Sequence, residues 1–314
     1  MNRIKIAALS VVLASCVVTD DDIKEVETLK VGMSTGIVQG YVSDSAADVV
    51  AWDDIPFAQP PVGDLRWRAP RPLEASSQII RSKEDTACVQ KASVYGGVLG
   101  EGIVGSEDCL YLDVKAPADF KDKDYPVMFW IHGGGNTTGL KDFYDYSRLV
   151  ALKDVVVVST NYRLGGLGWF SHPAIQDHQE GVDKSTNFGT LDIIESLKWV
   201  QTNIAKFGGD PDNVTIFGES AGGHNVYALL ASPMSDGLFH KAISQSGYTT
   251  SHSLEDAHNL DGANPLVERG SWQIVESINE FNAQQDDSKH LGNQLRSMDA
   301  REFIGLYYQK ESID

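Results

Sequence analysis

The sequence has few basic residues and few cysteines, and it contains no low-complexity tract or internal repeat. Its 26 Lys and Arg residues face 44 Asp and Glu residues, and the resulting net charge of −18 repels phosphate groups. We therefore expect no nucleic-acid partner and no electrostatic attachment to anionic lipids. With 3 cysteines, no more than one disulfide can form within the chain. What is present is the composition of an ordinary globular protein.

The N-terminus has the pattern of an export signal. Basic residues precede a short apolar stretch from Ile6 to Leu13, which is too short to span a bilayer, so residues 1–15 are predicted to be a signal peptide. The last residues before and including Cys16, LASC, resemble the lipobox of bacterial lipoproteins. Residues 16–32 are predicted to be a hydrophilic tether. We expect an exported protein that is anchored to the cell envelope through a lipid on Cys16; cleavage without lipidation, which would give a secreted protein, is the alternative.

The remainder, residues 33–314, is predicted to be one α/β domain. Near-continuous apolar runs at 126–131 and 155–158 favour strands that are buried on both faces, as in a parallel sheet. Strands that alternate with helices predict a mostly parallel, twisted sheet with helices on both faces. Further predicted elements are helices at 143–153 and 191–207, strands at 214–217 and 240–244, and helices at 264–281, 289–298 and 300–309.

A serine flanked by glycines follows one of these strands. In FGESAGG, residues 217–223, the strand ends and a helix is predicted to begin. A nucleophile elbow needs this arrangement, because its serine lies in a strained turn and the residues two positions away must be small. Ser220 is therefore predicted to be a nucleophile at a helix N-terminus, whose positive end favours a developing oxyanion. A glycine-rich turn without catalytic function is the alternative.

A second glycine-rich segment, His132-Gly133-Gly134-Gly135, directly follows the strand at 126–131. Consecutive glycines let backbone N–H groups approach a substrate oxygen without obstruction by side chains. Gly134 and Gly135, together with the N–H of Ala221, are predicted to be the donors of an oxyanion hole, with His132 in a supporting position. A merely flexible loop is the alternative.

Together these segments resemble the type-B carboxylesterases, the α/β-hydrolase family that includes cholinesterases and bacterial carboxylesterases. The serine motif of that family is matched without a break over residues 207–222. EDCLYLDV at 107–114 resembles its second motif, although Lys115 stands where an apolar residue is usual. Other matching segments are IPFAQPPVGDLRW (55–67), NYRLG (161–165) and GLFHKAISQSG (237–247), so that the resemblance covers residues 35–247.

The resemblance implies an α/β-hydrolase that cleaves carboxylic esters through an acyl intermediate on Ser220, without a cofactor or a metal. It also implies a disulfide between Cys88 and Cys109. Glu219 would be a buried acid that supports the site electrostatically, with a structural role as the alternative. Asn161 and Arg163 are expected to be scaffold residues. His224, on the helix that follows Ser220, is badly placed to act as the base.

The sequence offers no clear candidate for the acid and the histidine that would complete a triad with Ser220. In this family the serine is followed by an acid and then a histidine, each on a loop after a later strand. After the strand at 240–244 the sequence predicts only helices, and His252, His258 and His290 are expected to be surface residues. No cluster of ligands has the spacing of a metal site. We therefore expect a chain that is truncated before the last strands of the fold and lacks the acid and histidine of the triad.

Two hypotheses for function follow. The first is a serine ester hydrolase that acts on small or medium acyl esters. The second is a catalytically inactive, surface-tethered binding or adhesion module on the same fold. The presence of both Ser220 and the HGGG segment favours the first, because a binding module needs neither. Choline esters are not favoured, because the segment between Cys88 and Cys109 has Tyr95 as its only aromatic residue and no tryptophan for a cation–π contact.

Overall fold

The computed structural model describes residues 29–83, 85–251, 253–259, 269–279 and 288–309. The predicted signal peptide, Cys16 and the predicted tether up to residue 28 lie outside these residues. The strands are β1 (Lys30–Met33), β2 (Gly36–Gln39), β3 (Tyr41–Val42), β4 (Val49–Pro56), β5 (Ile79–Ile80), β6 (Gln90–Ser93), β7 (Val98–Val104), β8 (Tyr111–Pro117), β9 (Tyr125–Ile131), β10 (Val156–Thr160), β11 (Gly209–Glu219) and β12 (Lys241–Gln245). The α-helices are α1 (Ser147–Lys153), α2 (Gly165–Gly168), α3 (Pro173–Gln176), α4 (Phe188–Asn203), α5 (Ala221–Ala231), α6 (Leu254–His258), α7 (Ser271–Asn279), α8 (Ser288–Ser297) and α9 (Ala300–Gly305). Short 3-10 helices lie at Gly63–Leu65, Gly181–Lys184, Ile204–Phe207, Pro233–Ser235 and Leu306–Tyr308.

Seven strands form the central sheet, in the order β12-β11-β9-β10-β8-β4-β3. Strands β12, β11, β9 and β10 are parallel to one another. Strands β8, β4 and β3 continue the sheet with antiparallel pairings. The predicted α/β-hydrolase sheet is confirmed, and its parallel half carries Ser220. The antiparallel half was not predicted, because a run of apolar residues indicates burial but not strand direction.

Strand β10 shows why the apolar runs are continuous. Val156 and Val158 belong to the larger hydrophobic core, which also contains Leu197 of α4. Val157 points to the opposite face and packs in a second cluster with Val150 of α1. Because helices cover both faces of the sheet, successive side chains are buried alternately on the two sides, and the strand has no polar face.

The fold begins inside the segment predicted to be a tether. Strand β1 pairs with β2 in antiparallel register, from Lys30 opposite Gln39 to Met33 opposite Gly36. Val31 and Met33 are 5% and 8% exposed, so alternate side chains of β1 are buried in the core. Residues 30–32 therefore belong to strand β1, ahead of residue 33, where the sequence analysis places the start of the domain.

Strand β12 is the edge of the central sheet within the described residues, where it pairs with β11 alone. Ile243 at its centre is 47% exposed, and Leu230 on the neighbouring helix α5 is 56% exposed. After β12, the described ranges contain only helices, α6 to α9 and one 3-10 turn, as the sequence predicted. In the portion of the chain that the structure covers, no helix is long and apolar enough to cross a bilayer.

Candidate active site

Ser220 lies at the junction between β11 and α5. Its backbone has φ 54° and ψ −118°, a conformation that a residue with a side chain adopts only under strain. The N–H of Ser220 donates to the carbonyl of Gln245 at the end of β12, at 2.8 Å, which holds the turn against the neighbouring strand. The side chain remains partly exposed. The structure therefore has the strand, strained turn and helix that a nucleophile elbow requires.

The glycines on either side of the turn pack against the end of β9. A Cβ atom on Gly222 would lie 2.1 Å from the carbonyl oxygen of Ile131. A Cβ atom on Gly218 would lie 2.5 Å from the carbonyl carbon of Gly222 and 2.8 Å from the same oxygen of Ile131. The expectation that both positions need a small residue is confirmed, because β11, α5 and β9 meet here with no space for a side chain.

The HGGG segment passes beside the serine. A Cβ atom on Gly133 would lie 3.3 Å from the Cβ of Ser220. Gly134 and Gly135 have φ of 94° and 65°, in the left-handed region that glycine adopts without strain. The carbonyl of Gly134 is turned inward and accepts the N–H groups of Thr137 and Thr138, at 3.1 and 3.0 Å. We call residues 132–141 the glycine loop.

Three backbone donors at this junction are free. Within the described residues, the N–H groups of Gly134, Gly135 and Ala221 donate to no protein acceptor. The N–H of Ala221 is at the first position of α5, where an α-helix leaves its N–H groups without intrahelical partners. Free N–H groups from a loop and from a helix N-terminus, beside a strained serine, can stabilise an oxyanion that forms next to Oγ.

The far end of the glycine loop is held by Gln90, a residue that no sequence motif singles out. The N–H of Gly139 donates to Oε1 of Gln90 at 2.8 Å, and Nε2 of Gln90 donates to the carbonyl of Gly139 at 2.9 Å. Nε2 also donates to the carbonyl of Cys88 at 3.0 Å. The predicted disulfide between Cys88 and Cys109 is present. Gln90 therefore joins the glycine loop to the disulfide-bonded segment.

Lys141 ends the glycine loop in a buried cluster of charges. Its Nζ lies 2.9 Å from Oδ1 of Asp54 and 2.8 Å from Oδ1 of Asp113, and its side chain is fully buried. Its N–H donates to Oδ1 of Asn161 at 2.9 Å, which gives Asn161 a scaffold role. Burial raises the pKa of Asp113 to about 7; burial alone would lower the pKa of Lys141, but the surrounding carboxylates outweigh it and raise that pKa. Lys141 therefore stays charged and anchors the loop to β4 and β8.

His132 is a part of the scaffold and is unsuited to be the base. Its ring stacks on Tyr162 with centroids 4.3 Å apart, and its Nδ1–H donates to the carbonyl of Gly133 at 2.9 Å. Burial lowers the pKa of His132 to about 4, so the ring is neutral at pH 7. The supporting position predicted for His132 is thus a structural one, within the glycine loop.

Glu219 does not have the buried environment that the resemblance implied. Its side chain is exposed at the end of β11. It still lies near the glycine loop, because a Cβ atom on Gly133 would be 3.0 Å from its Oε2. The buried, supporting role of Glu219 stays a prediction, because no described element covers this end of the strand.

No histidine ring in the described ranges is hydrogen-bonded to Oγ of Ser220; the backbone N–H of His224 donates to the carbonyl of Ser220, at 3.0 Å, within helix α5. His224 contacts the carbonyl of Tyr248 through Nδ1 at 2.7 Å. His258, expected at the surface, is half-buried: its Nε2 lies 2.7 Å from Oγ of Ser171, and partial burial lowers its pKa. His290 is exposed, and His252 lies outside the described residues. The same ranges contain no group of three His, Cys, Asp or Glu side chains that could hold a metal.

The sheet order, with a serine elbow at the carboxyl end of a parallel strand, defines the α/β-hydrolase fold. A solved structure of a thermophilic PNB esterase superposes with a TM-score of 0.75 at 35% identity, over 89% of this chain and 53% of that one. Residues 27–312 match the model of the carboxylesterase family. The chain belongs to this family, as the sequence motifs indicated.

Two curated relatives show the extent of the match. The pyrethroid hydrolase Ces2e of Rattus norvegicus is 46% identical over 224 residues, which are 68% of this chain and 38% of the relative. The para-nitrobenzyl esterase of Bacillus subtilis (strain 168) is 39% identical over 261 residues, 82% of this chain and 52% of the relative. The chain therefore spans about half the length of these relatives, or less.

Proposed function

We propose that this chain carries the nucleophile and the oxyanion hole of a serine carboxylic-ester hydrolase. One observation carries the proposal: Ser220 occupies a strained elbow beside the free N–H groups of Gly134, Gly135 and Ala221. A turn with only a structural role gains nothing from a strained serine, whereas an acyl-transfer site needs the nucleophile and the donors together. Membership of the carboxylesterase family supports the same reaction class.

The proposed reaction proceeds in two halves. Oγ of Ser220 attacks the ester carbonyl carbon, the electrons of the C=O bond move to its oxygen, and the N–H groups of Gly134, Gly135 and Ala221 stabilise that oxyanion. The serine proton passes to a base and then to the alkoxide, which leaves as the alcohol. Water then attacks the acyl-serine by the same route, releases the carboxylic acid and restores the serine.

The base and its supporting acid belong to the proposal as well. Because no described histidine ring is hydrogen-bonded to Oγ of Ser220, we propose that both groups come from outside the described residues. Without a base, Oγ stays protonated and is a weak nucleophile. The oxyanion donors alone would then give about 10³- to 10⁴-fold acceleration over water at most.

Small or medium esters are the proposed substrates, without any cofactor or metal. The relatives named above are a pyrethroid hydrolase and a para-nitrobenzyl esterase, so a para-nitrobenzyl ester is the first compound to assay. The second hypothesis, an inactive adhesion module, is not favoured, since such a module would have no use for either the serine or the free donors.

Export and lipidation also remain proposals. We propose residues 1–15 as a signal peptide and Cys16 as the site of a lipid anchor, on the sequence pattern alone. Labelled palmitate should enter the protein expressed in a bacterial host and should not enter Cys16→Ser. A mature protein that begins at or before residue 16 without lipid would instead indicate secretion.

The activity is tested by hydrolysis of para-nitrobenzyl acetate with the full-length protein and its Ser220→Ala variant. Loss of the nucleophile should lower kcat by at least about 10³-fold. Ser246→Ala is a matched control, because Ser246 also has a positive φ, 53°, and is exposed. The assignment is wrong if Ser220→Ala hydrolyses the ester as fast as the unaltered protein.

A further inference from the structure

Asn136, the residue after the three glycines, makes more contacts than a loop residue needs. It has φ 57°, in the left-handed region that Asn tolerates better than most residues. Its carbonyl accepts the N–H of Gly165 at 2.7 Å. Its Oδ1 accepts Nδ2–H of Asn225 at 2.9 Å and the hydroxyl of Tyr162 at 3.2 Å. Two buried donor groups therefore lie within hydrogen-bonding distance of this side-chain oxygen, and Asn225 is the nearer.

Asn225 links the glycine loop to helix α5. Asn225 lies on α5, one helical turn after Ala221, and is 2% exposed. In the described residues, its bond to Asn136 is the one side-chain hydrogen bond that joins the glycine loop to α5. The loop supplies two of the proposed oxyanion donors, and α5 supplies the third. The Asn136–Asn225 bond thus connects the two elements that supply the donors of the proposed oxyanion hole.

The buried side chain of Tyr162 also contacts Asn136. Its single hydroxyl proton is shared between the carbonyl of His132, at 2.7 Å, and Oδ1 of Asn136, at 3.2 Å, so one side chain contacts both the start of the glycine loop and Asn136. Tyr162 is fully buried, and burial raises its pKa, so the hydroxyl keeps its proton as a donor. In this water-poor environment, hydrogen bonds are strong and an unpaired polar group is costly.

We propose that Asn136 and Asn225 are positioning residues that set the distance between the glycine loop and the N-terminus of α5. This inference rests on the proposed function, because it assumes that the free N–H groups bind an oxyanion. Oxyanion donors act when they lie about 2.7–3.1 Å from the oxyanion. A shift of the glycine loop or of α5 by about 1 Å therefore lowers the rate without preventing substrate binding. Neither asparagine contacts the reacting atoms.

The experiment compares Asn225→Leu, which removes the donor at similar volume, with Asn136→Gly, which removes the acceptor and keeps the positive φ. In the full-length protein, each should lower kcat for para-nitrobenzyl acetate by about 10-fold and leave KM within about two-fold. Each should weaken the binding of an aryl trifluoromethyl ketone by a similar factor, because the serine oxygen adds to the ketone carbonyl and an oxyanion forms. The double variant should be no slower than the slower single variant, because both remove the same bond.

Asn203→Leu is the matched control. Asn203 is a buried asparagine on α4, 5% exposed, whose Nδ2 donates to the carbonyl of Trp199 at 3.1 Å, away from the glycine loop. It should lower the melting temperature while kcat stays unchanged. If Asn225→Leu does not fold, Asn136→Gly and Asn225→Ser test the same bond.

The outcomes separate this inference from the proposed function. Normal activity of Ser220→Ala would overturn the proposed function. An inactive Ser220→Ala variant together with unchanged kcat in Asn136→Gly and Asn225→Leu would overturn the positioning role alone. Losses that multiply in the double variant, or a raised KM with unchanged kcat, would also overturn it.

Discussion

At the scale of single residues, the candidate site depends on the strained backbone of Ser220 and on glycines where a side chain would collide with the backbone. Ser220 accepts a strained backbone, and the surrounding glycines let three elements approach it closely. Strain at a catalytic turn persists only where the neighbouring structure imposes it. Here the hydrogen bond to Gln245 and the packing of Gly222 against Ile131 supply that constraint.

Gly222→Ala should therefore destabilise the fold. The new methyl group would lie 2.1 Å from the carbonyl oxygen of Ile131, so β9 or α5 must move, at a cost of ~3 kcal/mol. Gly305→Ala is the control: it is also helical, nothing lies within 4 Å of the place its methyl group would take, and it should stabilise by ~0.5 kcal/mol. Urea unfolding measures both changes, and equal midpoints for the two variants would contradict the packing described here.

Some of these residues could be predicted from the sequence, and others could not. The proposed nucleophile Ser220 and the proposed donors Gly134, Gly135 and Ala221 belong to sequence motifs with a characteristic spacing, so the sequence alone could single them out. Gln90, Asn136 and Asn225 are single polar residues whose partners are distant in the chain, and nothing in local sequence marks them. The buried state of Glu219 was inferred from resemblance and stays a prediction, because burial depends on what covers a residue.

At the scale of elements, the strands were the most predictable part. β9 and β10 are apolar over most of their length because they are central strands covered on both faces, and that pattern is visible in the sequence; in β11 the apolar part is confined to residues 214–217. Strand direction and the entry of residues 30–32 into β1 were not visible, since both depend on pairing with distant segments. The glycine loop is likewise fixed by tertiary contacts, at Asn136, Gly139 and Lys141.

Gln90→Met should show how much the loop depends on one of these contacts. It would leave the N–H and carbonyl of Gly139 unpaired in a buried place, at a cost of ~2 kcal/mol, and should lower kcat with little change in KM. Gln201→Met is the counterpart, because Nε2 of Gln201 also bridges two carbonyls, those of Pro211 and Leu238, away from the loop. Esterase assays and urea unfolding of both variants separate the two effects. Equal kcat values for the two would mean that the loop keeps its shape without Gln90.

At the scale of the whole molecule, two buried histidines make stability depend on pH. Burial, which is the main cause, and the nearby His258 lower the pKa of His172 to about 4; burial also lowers that of His132 to about 4. Both rings are neutral in the folded state, whereas an unfolded histidine gains a proton below pH of about 6.5. Their contribution to stability is therefore complete above that pH and is lost as the pH falls toward 4.

His172→Asn should reduce the loss of folding stability at low pH. Asn keeps an acceptor for the N–H of Ala174, which Nδ1 of His172 accepts at 3.2 Å, but it does not titrate. Between pH of about 7 and about 4.5, the free energy of unfolding of the variant should fall by ~2 kcal/mol less than that of the unaltered protein. Urea unfolding at several pH values measures the difference. Parallel curves for the two proteins would show that His172 does not titrate upon unfolding.

The central claim is that Ser220 is a nucleophile, and covalent trapping tests it most directly. A fluorophosphonate forms a bond from phosphorus to an activated serine oxygen and releases fluoride, and mass spectrometry then locates the adduct. The full-length protein should carry one adduct, on the peptide that contains residues 217–223, and Ser220→Ala should carry none. An adduct on a different serine, or equal labelling of Ser220→Ala, would contradict the claim.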